Sequence, residues 1–124
     1  MIVRTVQVNG RVSFDIELES GDGKNPFDNA QVNELSFSCF LPSDSAKAPH
    51  PDHIALCALL AVTPFTNSRL ELDLAVSSDF RDACLKLPFQ LIAPEERSMA
   101  YKLENDEGRP ALAFSGGVDS TAAL

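Results

Sequence analysis

Basic charge is scarce in this sequence. Against 18 Asp and Glu residues stand 10 Lys and Arg, giving a formal net charge of −8. Phosphate backbones select Lys/Arg-rich faces, so this balance argues against a nucleic-acid groove on this part of the molecule. Long apolar runs are missing too. The longest, Ile54 to Val62, is far too short to cross a bilayer. The opening stretch Met1-Ile2-Val3-Arg4-Thr5-Val6-Gln7-Val8 lacks the basic-then-apolar order of a secretory signal. No Cys-x-x-Cys pair exists, because Cys39, Cys57 and Cys84 are widely spaced. Each sits among apolar residues and is expected to be a small buried thiol. A reducing cytoplasm is the compartment that fits, with no membrane partner. Histidine is nearly absent as well. His50-Pro51-Asp52-His53 brings both histidines beside a carboxylate, but a metal site needs three or four ligands in fixed geometry. A polar loop followed by a helix cap is the simpler reading. No internal repeat or low-complexity segment is visible.

What is present is a chain of 124 residues with an ordinary 44% hydrophobic content, enough for one small folded domain. Residues 2–8 and 11–19 read as a hairpin. Val12, Phe14, Ile16 and Leu18 alternate with Arg11, Ser13, Asp15, Glu17 and Glu19, the period of a strand with one wet face. Asn9-Gly10 between the runs is a favoured two-residue turn. Asp15, Glu17 and Glu19, with Glu71 and Asp73 later, are expected to keep an exposed sheet face soluble. Gly21 to Asn29 is a polar loop. Leu35, Phe37, Cys39 and Leu41 alternate with polar residues and predict a third strand. Pro42 to Pro51 is a second loop.

Asp52 is placed to cap a helix from His53 to about Val62, apolar nearly all round and therefore expected to be buried. Leu70, Leu72 and Leu74 predict a fourth strand. Ser77-Ser78-Asp79 is a helix-start signal, and Phe80, Ala83, Cys84 and Leu87 follow on one helical face until Pro88. Phe89 to Ile92 reads as a brief strand. Pro94 to Gly108 is rich in charge, with a helical pattern in its first half; Glu95-Glu96-Arg97 reads as its solvated start. These features predict an α+β unit over residues 1–108, with a mainly antiparallel sheet and two short helices.

The pattern changes at Pro110. Ala111-Leu112-Ala113-Phe114 is a continuous apolar run, as expected of a parallel strand buried on both faces. Ser115-Gly116-Gly117-Val118-Asp119-Ser120-Thr121 follows at once. Paired glycines let backbone N–H groups approach an anion without a Cβ in the way. The residues after them can open a helix, whose N-terminus favours negative charge. This is not a Walker loop, whose spacing and lysine are both absent. Five fixed positions at ordinary residue frequencies arise by chance roughly once in ten thousand chains of this length.

The strand followed by Ser-Gly-Gly-Val-Asp-Ser resembles the signature of the PP-loop ATP pyrophosphatases, a family that includes GMP synthetase, asparagine synthetase, NAD synthetase and 7-cyano-7-deazaguanine synthase. The resemblance covers only the last ~14 residues. It implies that residues 109–124 begin a Rossmann-like α/β ATP-binding domain that is incomplete here, and that the chain is the N-terminal part of a longer enzyme. That enzyme would let a substrate oxygen attack the α-phosphate of ATP, release pyrophosphate, and pass the adenylated intermediate to a nucleophile.

By the same resemblance Ser115, Gly116, Gly117 and Ser120 contact the pyrophosphate, and Val118 contributes its backbone N–H. Asp119 holds Mg²⁺, directly or through water, because a carboxylate beside phosphates repels them unless a cation lies between. Asp119 and Ser115 are thus the catalytic candidates. Thr121 either adds a hydroxyl or satisfies the first helical turn. The acidic composition favours a small-molecule substrate over tRNA. With no catalytic cysteine pair visible, amide formation fits better than sulfur transfer. The alternative is a non-catalytic interaction or oligomerisation module with an incidental glycine loop.

Overall fold

The polar–apolar alternation of the first two segments produces the ladder it predicts. In the computed structural model, which describes residues 1–8, 10–40 and 49–96, β1 (Ile2–Val8) and β2 (Arg11–Glu17) pair antiparallel from Ile2 opposite Glu17 to Val8 opposite Arg11. Gly10 turns the chain at φ 75°, a left-handed backbone that glycine adopts without strain. Asn9, its expected turn partner, lies outside the described residues. β3 (Ser36–Phe40) adds antiparallel to β2, placing Phe37 opposite Phe14. Their rings stack with centroids 4.6 Å apart.

The chain then alternates helix and strand: α1 (Pro51–Val62), a short 3₁₀ turn (Thr63–Phe65), β4 (Arg69–Leu72), α2 (Ser78–Cys84) and β5 (Gln90–Ile92). The strand order is β3-β2-β1-β4-β5. β4 pairs parallel to β1, and β5 parallel to β4. The fold is therefore α+β with a mixed five-stranded sheet: the β1–β2–β3 side is antiparallel as expected, whereas the β1–β4–β5 side is parallel. The reason is the connection. A helix between two strands of one sheet carries the chain back to its starting end, so the next strand runs parallel. Alternating leucines in β4 disclose a wet face and a dry face but carry no sign of direction.

The core lies on one face of the sheet. Val3, Val12, Phe14, Leu70 and Leu72 are buried there, joined by Ile54, Ala55, Ala58 and Val62 of α1 and by Val76 and Phe89. Burying a side chain of this size stabilises by about 1.5–3 kcal/mol relative to leaving it in water. α1 begins on Pro51 with His50, not Asp52, at its cap: His50 Nδ1 accepts from the Asp52 N–H at 3.2 Å. A proline in the first turn loses nothing, since that N–H has no helical partner anyway. The helix is buried on one side only. Leu56 is 44% exposed, Leu60 68%, and Cys57 is also exposed. Nearly all-round apolarity in α1 thus does not translate into all-round burial, because the described residues cover it on the sheet side alone.

α2 has the cap its sequence announces, with Ser77 Oγ accepting from the Phe80 N–H at 3.1 Å. Among the described residues no helix is long and apolar enough to cross a membrane. Glu95 and Glu96 do not start a helix as expected: the backbone there is extended, Glu95 forms a parallel bridge with Val76, the Glu96 N–H donates to the Val76 carbonyl, and the Glu95 carboxylate is engaged by Arg81. Arg97 and the rest of the helical pattern expected in the first half of Pro94–Gly108, the strand Ala111–Phe114, most of the loop after Leu41 and the boundary at 108/109 lie outside the described residues.

Candidate functional site

Every residue of the glycine motif, Ser115, Gly116, Gly117, Val118, Asp119, Ser120 and Thr121, lies outside the described residues. The described chain reaches Glu96, four residues past β5. In the unit that precedes the motif, three polar groupings stand out as candidate sites.

The first is at the amino terminus. The Met1 ammonium lies 2.6 Å from Asp22 Oδ2 and donates to Glu19 Oε2 at 2.9 Å and to the Arg69 carbonyl at 3.0 Å. Arg69 also forms a two-point ion pair with Glu19, its Nε donating to Oε2 at 2.8 Å and its Nη2 to Oε1. Asp22 accepts further from the Asn67 N–H at 2.9 Å and the Glu19 N–H at 3.0 Å. Arg69 is the main cause that holds the Glu19 carboxyl down at about 2, with the ammonium adding to it. Burial pushes Asp22 up, but its hydrogen bonds from the ammonium and from two backbone N–H groups outweigh it and the net direction is down. The ammonium follows the mirrored logic. Burial lowers it, the hydrogen bonds to Asp22 and Glu19 prevail, and it sits above its ordinary value of 8.0. Glu19 is therefore not a solvating group on the strand's wet face, as the alternation suggested. β2 ends at Glu17, and Glu19 turns to meet β4.

The second place joins the two helices. Asp52 Oδ1 accepts from the Ser77 N–H at 2.9 Å and Oδ2 from the Ser77 hydroxyl at 2.6 Å. Ser77 is only 4% exposed and relays the contact to the Phe80 N–H. Asp52 thus serves the next helix rather than capping its own, which it assists only as an acid in the first turn.

The third is a groove of about 460 Å³ beside β5, lined among others by Arg81, Asp82, Leu85, Phe89 and Glu95. Its cation is already engaged, since Arg81 Nη1 donates to Glu95 Oε2 at 2.8 Å. With its own carboxylate neutralising Arg81 and Asp82 adding negative charge, the groove is poorly matched to an anionic ligand. Among the described residues no group of three or more His, Cys, Asp or Glu side chains is arranged to hold a metal ion.

The three cysteines depart from expectation. Cys57 is exposed, and Cys39 and Cys84 are half-buried, so none is a fully buried thiol. Cys57 lies at the margin of the packed side of α1, where it lines a small pocket with Cys39, Val12 and Phe14 of the sheet yet stays open to solvent. Sequence reasoning missed the cluster of Met1, Glu19, Asp22 and Arg69. Its one local signal is Gly21-Asp22-Gly23, a tight turn with both glycines at positive φ that holds Asp22 against Asn67. No family model, curated protein or solved structure matches the chain.

Proposed function

We propose that this chain belongs to an ATP-dependent enzyme that adenylates a small-molecule substrate and releases pyrophosphate, with residues 1–108 as an accessory α+β domain. The observation that carries the reading is the run Ala111-Leu112-Ala113-Phe114 leading directly into Ser115-Gly116-Gly117-Val118-Asp119-Ser120. An apolar run leads into a glycine pair, and the glycine pair is followed by hydroxyls and one carboxylate. That order suits a departing polyanion, which needs N–H and O–H donors fixed in advance and no reorganisation as the bond breaks.

Ser115, Ser120 and the amides of Gly116, Gly117 and Val118 bind and orient the two outer phosphates. Thr121 either joins them or caps the first turn. Asp119 is the one anion of the loop, and an all-oxygen donor set of this kind fits the hard Mg²⁺ ion. Bound Mg²⁺ supplies neutralisation of the phosphate charge. The excess of acidic over basic residues supports a small acceptor rather than a polynucleotide.

Pyrophosphate release from Mg-ATP by the full-length protein, screened across candidate acids and nucleobases, tests the reading. Asp119→Ala is expected to lower release by roughly a hundredfold or more with the fold intact. Undiminished release by that variant refutes the role of Asp119. A second reading, an interaction module with an inert loop, draws on Leu56 and Leu60, which place exposed apolar surface on α1. It predicts no acceptor-dependent release at all, together with self-association that is lost when both leucines become polar.

A further inference from the structure

Two of the three thiols share a cavity. Cys39 on β3 and Cys57 on α1 line one pocket of about 60 Å³, together with Val12, Phe14, His53 and Ile54. β3 is an edge strand, and Cys39 sits opposite Val12 on the face that packs into the core. Cys57 is exposed, so one member of the pair is open to solvent and the other half-buried. Cys84 is elsewhere, in the groove beside β5. The two thiols are near enough to influence one another's charge. The Cys57 thiol is pushed above its ordinary value, first by burial and then by the charge and hydrogen bond of Cys39.

We propose that Cys39 and Cys57 form an oxidisable dithiol, which a small disulfide of the glutathione type converts into a covalent bridge between β3 and α1. Cys57, the accessible member of the pair, attacks one sulfur of the reagent through the small thiolate fraction it keeps, forming a mixed disulfide and expelling one thiolate. The Cys39 thiolate then attacks Cys57 Sγ, closing the bridge and expelling the second. Two protein thiols are oxidised, one reagent disulfide is reduced, and the two protons leave on the two released thiols. The bridge ties an edge strand to the helix that follows it and closes the segment between residues 39 and 57. A closed loop has fewer unfolded conformations, so the oxidised chain is the more stable form.

The test is incubation of the intact chain with oxidised glutathione, then digestion without reduction and mass spectrometry. A peptide pair joined through Cys39 and Cys57 is expected to exceed any link to Cys84 by roughly tenfold or more, because neighbours held in place react at a high effective concentration. Cys39→Ser is expected to stop the reaction at glutathione on Cys57, while Cys84→Ser leaves the bridge unchanged. The unmutated chain gives the decisive reading, so the folding of a variant does not enter it. Glutathione retained on Cys57 of the unmutated chain overturns the proposal, as does bridging through Cys84 or an unmodified Cys57.

Discussion

The two halves of the sheet are held together by different physics. On one side, β1, β2 and β3 form antiparallel ladders of seven and five residue pairs, with Phe14 stacked on Phe37 in the core. On the other, β1 meets β4 over only two pairs and β4 meets β5 over three. The deficit on the parallel side is made up by polar side groups. The Met1 ammonium reaches Arg69 on β4, and Glu19 and Asp22 hold both ends of that contact. Asp73 accepts from the Thr5 N–H with both oxygens, at 2.9 and 3.1 Å, extending the β1–β4 seam past the last strand residue. Asp52 fastens α1 to the start of α2. Local pairing needs only a hydrophobic pattern and a turn, whereas pairing across distant sequence must first overcome loop-closure entropy. Directional, charged contacts supply what a short ladder lacks.

That contrast can be broken on either side. The largest effect is expected from Phe14→Ala, which removes a ring with no exposure and leaves a cavity under β2 and β3. A loss of about 3–5 kcal/mol in denaturant unfolding is expected, nearly the same at every pH, since no titrating group is touched. Asp22→Asn comes next. It strips the charge from a side chain only 2% exposed and leaves the ammonium with a poorer partner, at a cost of about 3 kcal/mol near neutral pH.

The sharper distinction is the pH profile. Glu19 and Asp22 sit below their ordinary values, so their contribution is present above those values and is lost as the solution is acidified, for Glu19 down through about 2. The ammonium sits above 8.0, so its contribution is full below that value and is lost as pH rises through the shifted one. Thermal melting of the unmutated chain should show a plateau from about pH 5 to 8 with a fall on each side. Asp22→Asn should flatten both shoulders, and Phe14→Ala should lower the curve without reshaping it. Identical profiles for the two variants would remove the distinction between the halves.

The same contrast explains what the sequence disclosed. Val12, Phe14 and Ile16 announced β2, Gly10 the turn before it, and Ser77 the cap of α2, because each rests on neighbours in the chain. The parallel course of β4 did not appear, since its partner β1 lies far away in sequence. The engagement of Asp52 by Ser77 and of Glu19 by Arg69 was invisible for the same reason: a carboxylate in a sequence shows its charge but not its distant partner. Exposure of Leu60 and Cys57 depends on which elements pack over α1, something the composition of the helix alone cannot disclose. The glycine motif stands at the opposite extreme. It is legible in sequence, residue by residue, and lies outside the described residues.

The most direct measurement of the central claim follows the α-phosphate. Full-length protein given ATP labelled at that phosphorus, with magnesium and an accepted substrate, should place the label in AMP or the adenylated product while unlabelled pyrophosphate is released. Label recovered in ADP with release of inorganic phosphate would mean attack at the γ-phosphate, and would contradict the assignment of residues 115–121 as a pyrophosphate cradle.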